Sequence, residues 1–131
     1  MEIVMIKSTL VALLTASMLA PTAALATQAS LQIELNPQSD FERRVMQYDC
    51  SAGEPFSVTY INAAPNFLAL VPIEGEPEPL VFASVVAASG ARYAAGQWVW
   101  WTKGADASLY DATLGDDAEP VLTCSEMTNT P

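Results

Sequence analysis

From Thr27 onward the chain has almost no run in which apolar residues recur at the three- and four-residue spacing of a helix. Short segments instead alternate apolar and polar residues and are cut by Gly, Pro, Asn and Asp about every 8–12 residues, the rhythm of an all-β domain. Successive side chains of a strand point to opposite faces, so each alternating segment buries one face and wets the other. Leu31, Ile33 and Leu35 alternate with Gln32 and Glu34; Met46, Tyr48 and Cys50 with Gln47 and Asp49; Phe56, Val58 and Tyr60 with Ser57 and Thr59. Phe67 to Val71 and Leu80 to Ala87 are apolar at nearly every position, which predicts strands covered on both sides or packed at a barrel seam. Gln97 to Thr102, Ala107 to Asp111 and Val121 to Ser125 complete a set of eight. Eight short antiparallel strands favour a small closed β-barrel, because closure removes edges that would otherwise pair between molecules; a β-sandwich is the alternative. The tail from Met127 to Pro131 is expected to fray.

The segment before Thr27 follows another logic. Lys7 is its only basic residue, Ser8 to Leu19 carries no charge, and Pro21 leads to Ala24-Leu25-Ala26, the small-residue pattern of a signal peptidase site. Residues 1–26 are therefore expected to be an export signal, with the mature protein starting at Thr27. That leaves 131 − 26 = 105 residues, 27–131, for one domain. Pro21 and the Ala-x-Ala site argue against a membrane anchor. A lipid anchor would need a cysteine directly after the cut, and the nearest is Cys50, so the expected mature protein is soluble.

Charge narrows the partners. The 5 Lys/Arg and 15 Asp/Glu of the chain become 4 and 14 once Lys7 and Glu2 are removed with residues 1–26, and 4 − 14 leaves a net charge of −10. Such a field repels nucleic acid and anionic lipid and favours a basic partner, although acidity also keeps an exported protein soluble. The chain has no histidine, which excludes Ser-His-Asp triads and the common zinc sites. Nothing in the spacing of the acids selects a catalytic pair. Glu74-Gly75-Glu76-Pro77-Glu78-Pro79 lacks the ligand spacing of a calcium loop and reads as a solvated connection. No enzyme activity, metal or cofactor is expected. The two cysteines, Cys50 and Cys124, are expected to form one disulfide in an oxidising compartment; a free reactive thiol is the alternative.

One constellation stands out. Ala88-Ser89-Gly90-Ala91-Arg92-Tyr93 is followed, after a turn at Gly96, by Trp98-Val99-Trp100-Trp101-Thr102-Lys103-Gly104-Ala105-Asp106-Ala107-Ser108-Leu109. These residues resemble the two signature loops of the membrane-bound and periplasmic inhibitors of C-type lysozyme: a Ser-Gly-x-x-Tyr loop, and an aromatic-rich strand ending in Lys-Gly-x-x-Ala-x-Leu. Tyr48-Asp49-Cys50 resembles the family's opening Tyr-x-Cys, Val58-Thr59-Tyr60 its next strand, and Cys124 the closing half of its disulfide, so the likeness spans about Met46 to Cys124, with a domain core of about 46–125. The resemblance implies an eight-stranded barrel whose Ser and Lys loops enter the lysozyme cleft and meet its two catalytic carboxylates. Ser89 and Lys103 are the matching positions, with Gly90, Tyr93, Trp101 and Gly104 as loop supports. It also implies a periplasmic protein whose partner is C-type lysozyme. Ala105 departs from the family pattern, which often has an acid directly after Lys-Gly; here Asp106 follows instead.

The residues give this transfer independent support. Lys103 is the only lysine after residue 26, a single ammonium in an acidic molecule, beside bulky aromatics and a permissive Gly104. Ser89 precedes Gly90, which lets the loop turn tightly and present a hydroxyl that can donate or accept. Taken one at a time, Lys103 would be an ordinary solvated lysine, Ser89 a turn residue, and Tyr93, Trp98, Trp100 and Trp101 core or loop supports. Arg92 is given no binding role. Two further functions compete: a small-ligand carrier with Leu68, Leu70 and Val86 lining the barrel, and an envelope module that binds another protein through its acidic surface.

Overall fold

Eight strands close into one antiparallel barrel in the computed structural model, which describes residues 30, 32–34 and 41–128. They are β1 (Glu42–Cys50), β2 (Phe56–Ala63), β3 (Asn66–Val71), β4 (Leu80–Val85), β5 (Ala91–Ala95), β6 (Trp98–Lys103), β7 (Asp106–Asp111) and β8 (Leu122–Glu126). Each pairs with its neighbours in sequence, and β8 returns to β1. The expected signal peptide and the Thr27 start lie outside the described residues.

The pleat sends alternate side chains to a filled centre. Tyr48, Val58, Tyr60, Ala69, Val71, Phe82, Tyr93, Trp100, Ala107, Leu109 and Cys124 are buried there. Trp100 is the hub, fully buried, with Tyr48 edge-on to its ring at 5.2 Å and 88°. Three of the polar groups of this core, on Tyr48, Tyr60 and Trp100, satisfy one another. The Trp100 indole N–H donates to the Tyr60 hydroxyl at 2.8 Å, and the Tyr48 and Tyr60 hydroxyls share a hydrogen bond of 2.7 Å. Burial pushes the Tyr48 phenol well above its ordinary value, with the bond to Tyr60 adding to the shift; burial likewise raises Tyr60 and Tyr93.

The seam between β1 and β8 is, with β4–β5, one of the two shortest parts of the ladder. Only Tyr48↔Glu126, Asp49↔Ser125 and Cys50↔Cys124 are in register, against seven pairs between β1 and β2. The Cys50–Cys124 disulfide lies on this seam and joins two directly opposed residues. Beyond it, the Met127 N–H donates to the Gln47 carbonyl at 2.8 Å, so the segment expected to fray is still held at Met127.

Three expectations need correction. Gln32 to Glu34 are not in a strand, and the eighth strand is β5, Ala91–Ala95, which the sequence presents as part of a loop. The apolar runs are not covered on both sides, because a single closed barrel has only one inner face. In β3 and β4, Ala69, Val71 and Phe82 are buried while Phe67, Val81 and Val85 are exposed. The ligand-carrier lining is also absent: Leu68 and Leu70 alternate with buried Ala69 and Val71 and so leave by the outer face, and Val86 is 96% exposed. Trp100, Tyr48 and Phe82 fill the centre of the barrel with its own side chains.

Candidate functional site

In an antiparallel barrel alternate connections emerge at the same end, which places the β4–β5 loop and the β6–β7 turn together. The first carries Ser89 and Gly90, the second Gly104 and Ala105. Residues 14 to 16 positions apart in the chain are thereby brought to one end of the barrel.

The two connections touch. Gly90 sits at φ +64°, and a Cβ there would collide with the Thr102 backbone carbonyl and stand 2.8 Å from Lys103 Cγ. Glycine is needed twice over, for the left-handed backbone and for the close approach to β6. The β6–β7 turn has two residues, since Lys103 and Asp106 are cross-strand partners. Gly104 occupies its first position at φ +59°, and among the described residues no non-glycine residue, Ala105 included, has a positive φ, which is the type II′ hairpin pattern. Lys103 therefore belongs to the strand and not the loop: it is the last residue of β6.

Trp101 lies between the two. Its indole N–H donates to the Ser89 carbonyl at 2.9 Å, and the Lys103 ammonium stands 4.0 Å from the centre of its ring. Both are outward residues of β6, two apart on the same face, while Trp98 and Trp100 take the inner face. The Arg92 guanidinium is 4.9 Å from the same ring, and Tyr110 leans on it at 6.3 Å. Arg92, given no role by sequence, belongs to this cluster because β5 is a strand whose register sets Arg92 opposite Trp101. Reading residues 91–95 as a strand would have found it.

Tyr93 points inward instead, buried with its ring 5.8 Å from that of Tyr60. Ser89, Gly90, Lys103 and Gly104 are exposed. Asp106, opposite Lys103, accepts a hydrogen bond from the Ser125 hydroxyl at 3.0 Å. Arg44–Glu126, at 3.6 Å, is the only ion pair among the described residues, so the Lys103 ammonium rests on an aromatic face with no carboxylate partner. Trp101 thus gathers the Ser89 backbone carbonyl and the Lys103 ammonium at one end of the barrel, with the Lys103 charge free of any carboxylate partner among the described residues. Among the described residues no group of acids and cysteines could hold a metal ion.

Comparison with known proteins bears on the same region. The profile of the family described as membrane-bound lysozyme-inhibitor of c-type lysozyme matches residues 48–117. The chain belongs to this family. Two inhibitors of that description are similar to it. The one from Pseudomonas aeruginosa is 40% identical over 94 residues, 72% of this chain and 73% of the relative. The one from Cupriavidus necator is 42% identical over 79 residues, 60% of this chain and 62% of the relative. The crystal structure of Pseudomonas aeruginosa MliC in complex with hen egg white lysozyme matches with a TM-score of 0.62 and 39% identity, covering 77% of this chain and all of that one. The family match includes Ser89, Trp101 and Lys103 and ends before Cys124. The family is one of inhibitors, not enzymes, and no helix among the described residues is long and apolar enough to cross a membrane.

Proposed function

We propose that this protein inhibits C-type lysozyme by inserting the Ser89 loop and the Lys103 hairpin into the substrate cleft of the enzyme. The observation that carries the reading is the Ser89 loop and a carboxylate-free Lys103 ammonium gathered on Trp101 at one barrel end, in a chain of a lysozyme-inhibitor family. In the cleft the Lys103 ammonium faces catalytic carboxylates, and the Ser89 hydroxyl supplies a second hydrogen bond. With no group of its own to turn over, the protein blocks the cleft and catalyses nothing. Its net charge of −10 draws a basic enzyme in. The fit to an exported inhibitor extends to location: residues 1–26 direct the chain out, and Thr27 onward acts in the periplasm on the wall side of the envelope.

The experiment is a lysis assay on bacterial cells with C-type lysozyme and residues 27–131. The parent protein slows lysis, and Lys103→Ala weakens inhibition by about 30-fold to several-thousand-fold, the effect of truncating one partner of a desolvated interfacial charge pair, roughly 2–5 kcal/mol. Lys103→Glu is worse, since it sets like charges together. Ser89→Ala is milder, losing a hydrogen bond worth about 1–3 kcal/mol. Full inhibition by a folded Lys103→Ala variant would place the interface elsewhere.

A further inference from the structure

We propose that Trp101 is a positioning residue that couples the two loops, holding the Ser89 backbone and the Lys103 ammonium in their binding arrangement before the partner arrives. The inference rests on the lysozyme-binding reading of Ser89 and Lys103 and adds how that pair is kept in place.

A lysine at the end of an exposed hairpin has four rotatable bonds and about 2 kcal/mol of rotamer entropy to lose when its ammonium is fixed. Much of that loss falls on binding unless something restrains the side chain in the free protein. Trp101 does so with its face, 4.0 Å from Lys103 Nζ, where the ring quadrupole attracts a cation. Its edge serves the other loop: indole N–H is a donor only, and it reaches the Ser89 carbonyl at 2.9 Å. One side chain thus binds both elements, by two different interactions. Phenylalanine has the face without the donor, and leucine has neither.

Trp101 is not spoken for by the core. Trp100 fills the barrel centre, whereas Trp101 is half-buried on the outer wall, in register with Arg92 and Ser108 and steadied by Tyr110 at 6.3 Å. The ring is braced on the barrel wall by Tyr110 and Arg92 and is in reach of the Lys103 ammonium. The close fit of Gly90 over Thr102, Lys103 Cγ and Trp101 Nε1 leaves the Ser89 loop no other seat while the indole bond is made.

Two measurements on residues 27–131 test this. In the free protein, NMR should find the Lys103 ε-methylene protons shifted upfield by the indole ring current, with the shift lost in Trp101→Leu. In the lysis assay, Trp101→Leu should weaken inhibition by about 5- to 70-fold and Trp101→Phe by about 2- to 12-fold, from the losses expected for a cation–ring contact and a neutral hydrogen bond. Both variants should melt within a few degrees of the parent. The advantage of phenylalanine over leucine should vanish when each is combined with Lys103→Ala, because the face then has no ammonium to hold. An advantage that survives Lys103→Ala would mean that the ring acts on the enzyme or the barrel directly, and would overturn the proposal. So would an unshifted Lys103 resonance in the free parent. Loss of inhibition in Lys103→Ala without any loss in Trp101→Leu refutes the coupling alone; full inhibition by Lys103→Ala refutes the site reading on which it stands.

Discussion

Alanine at Gly90 and alanine at Gly104 are the same chemical change at backbones of similar φ, +64° and +59°, yet the structure assigns them unequal costs. Both variants force an L-residue into the left-handed region, a penalty of about 1–2 kcal/mol. At Gly104 nothing lies within 4 Å of the added methyl group, so that penalty is the whole effect. At Gly90 the methyl group runs into the Thr102 carbonyl, a backbone atom of β6 that cannot rotate away. Overpacking of that kind adds about 1–3 kcal/mol, and the relief available is for the Ser89 loop to lift off β6. With about 4–8 °C of melting temperature per kcal/mol in a domain of this size, Gly104→Ala should lower the midpoint by roughly 4–16 °C and Gly90→Ala by about twice as much. Lysozyme inhibition, assayed well below either midpoint, should fall further for Gly90→Ala, because lifting the loop breaks the Trp101–Ser89 bond and separates Ser89 from Lys103. Thermal melts followed by circular dichroism and the lysis assay supply both readings. Equal shifts and equal inhibition for the two variants would refute the close seating of the Ser89 loop.

Cys50→Ala combined with Cys124→Ala should cost about 4 kcal/mol on the chain-entropy account of a cross-link with a sequence separation of 74, read as a lower melting midpoint that reduction of the parent reproduces. Association with lysozyme should slow between low and high salt, measured by stopped flow, since charges are screened over about 10 Å at 0.1 M; an unchanged rate would exclude charge as the recruiting force. Above about pH 10 the unfolded chain releases tyrosine protons that the buried Tyr48, Tyr60 and Tyr93 retain, so stability, complete below that pH, falls as pH rises by up to roughly 1.4 kcal/mol per unit for each. Alkaline denaturation should be shallower by one such share in Tyr93→Phe, and an unchanged slope would contradict burial as the cause.

The alternation of Met46, Tyr48, Phe56, Val58 and Tyr60 was enough to place β1 and β2, because a half-buried strand writes its inner face directly into the sequence. β5 was not legible that way. Its Ala91-Arg92-Tyr93-Ala94-Ala95 is built largely of alanine, which strands disfavour, and it holds only because β4 and β6 flank it and Tyr93 reaches the core. The opposite error arose at Gln32 to Glu34, where an alternating pattern predicts a strand but none forms and Ile33 is 47% exposed. Local pattern states which faces a segment could bury; partners decide whether it becomes a strand. The site divides along the same line. Ser89, Gly90, Lys103 and Gly104 were readable as a motif, whereas Arg92 and Tyr110 join it only through registers with Trp101 and Val99 that no local pattern encodes.

The charges of the molecule act at two distances. Far from the surface a partner meets a field of net −10 and is attracted if basic; at the Ser89–Lys103 end it meets the opposite sign, an ammonium and a guanidinium gathered on one indole ring. Those two cations would repel each other if bare. The electron-rich ring that both approach offsets that repulsion and, unlike a carboxylate, does not neutralise the ammonium it holds. A Lys103 paired with Asp106 would have to lose that ion pair before meeting a partner's acid, whereas Asp106 is engaged by Ser125 and the ammonium remains available. An aromatic seat for the lysine is thus the arrangement that restrains its position while leaving its charge unpaired, as the proposed encounter with a partner's carboxylates requires.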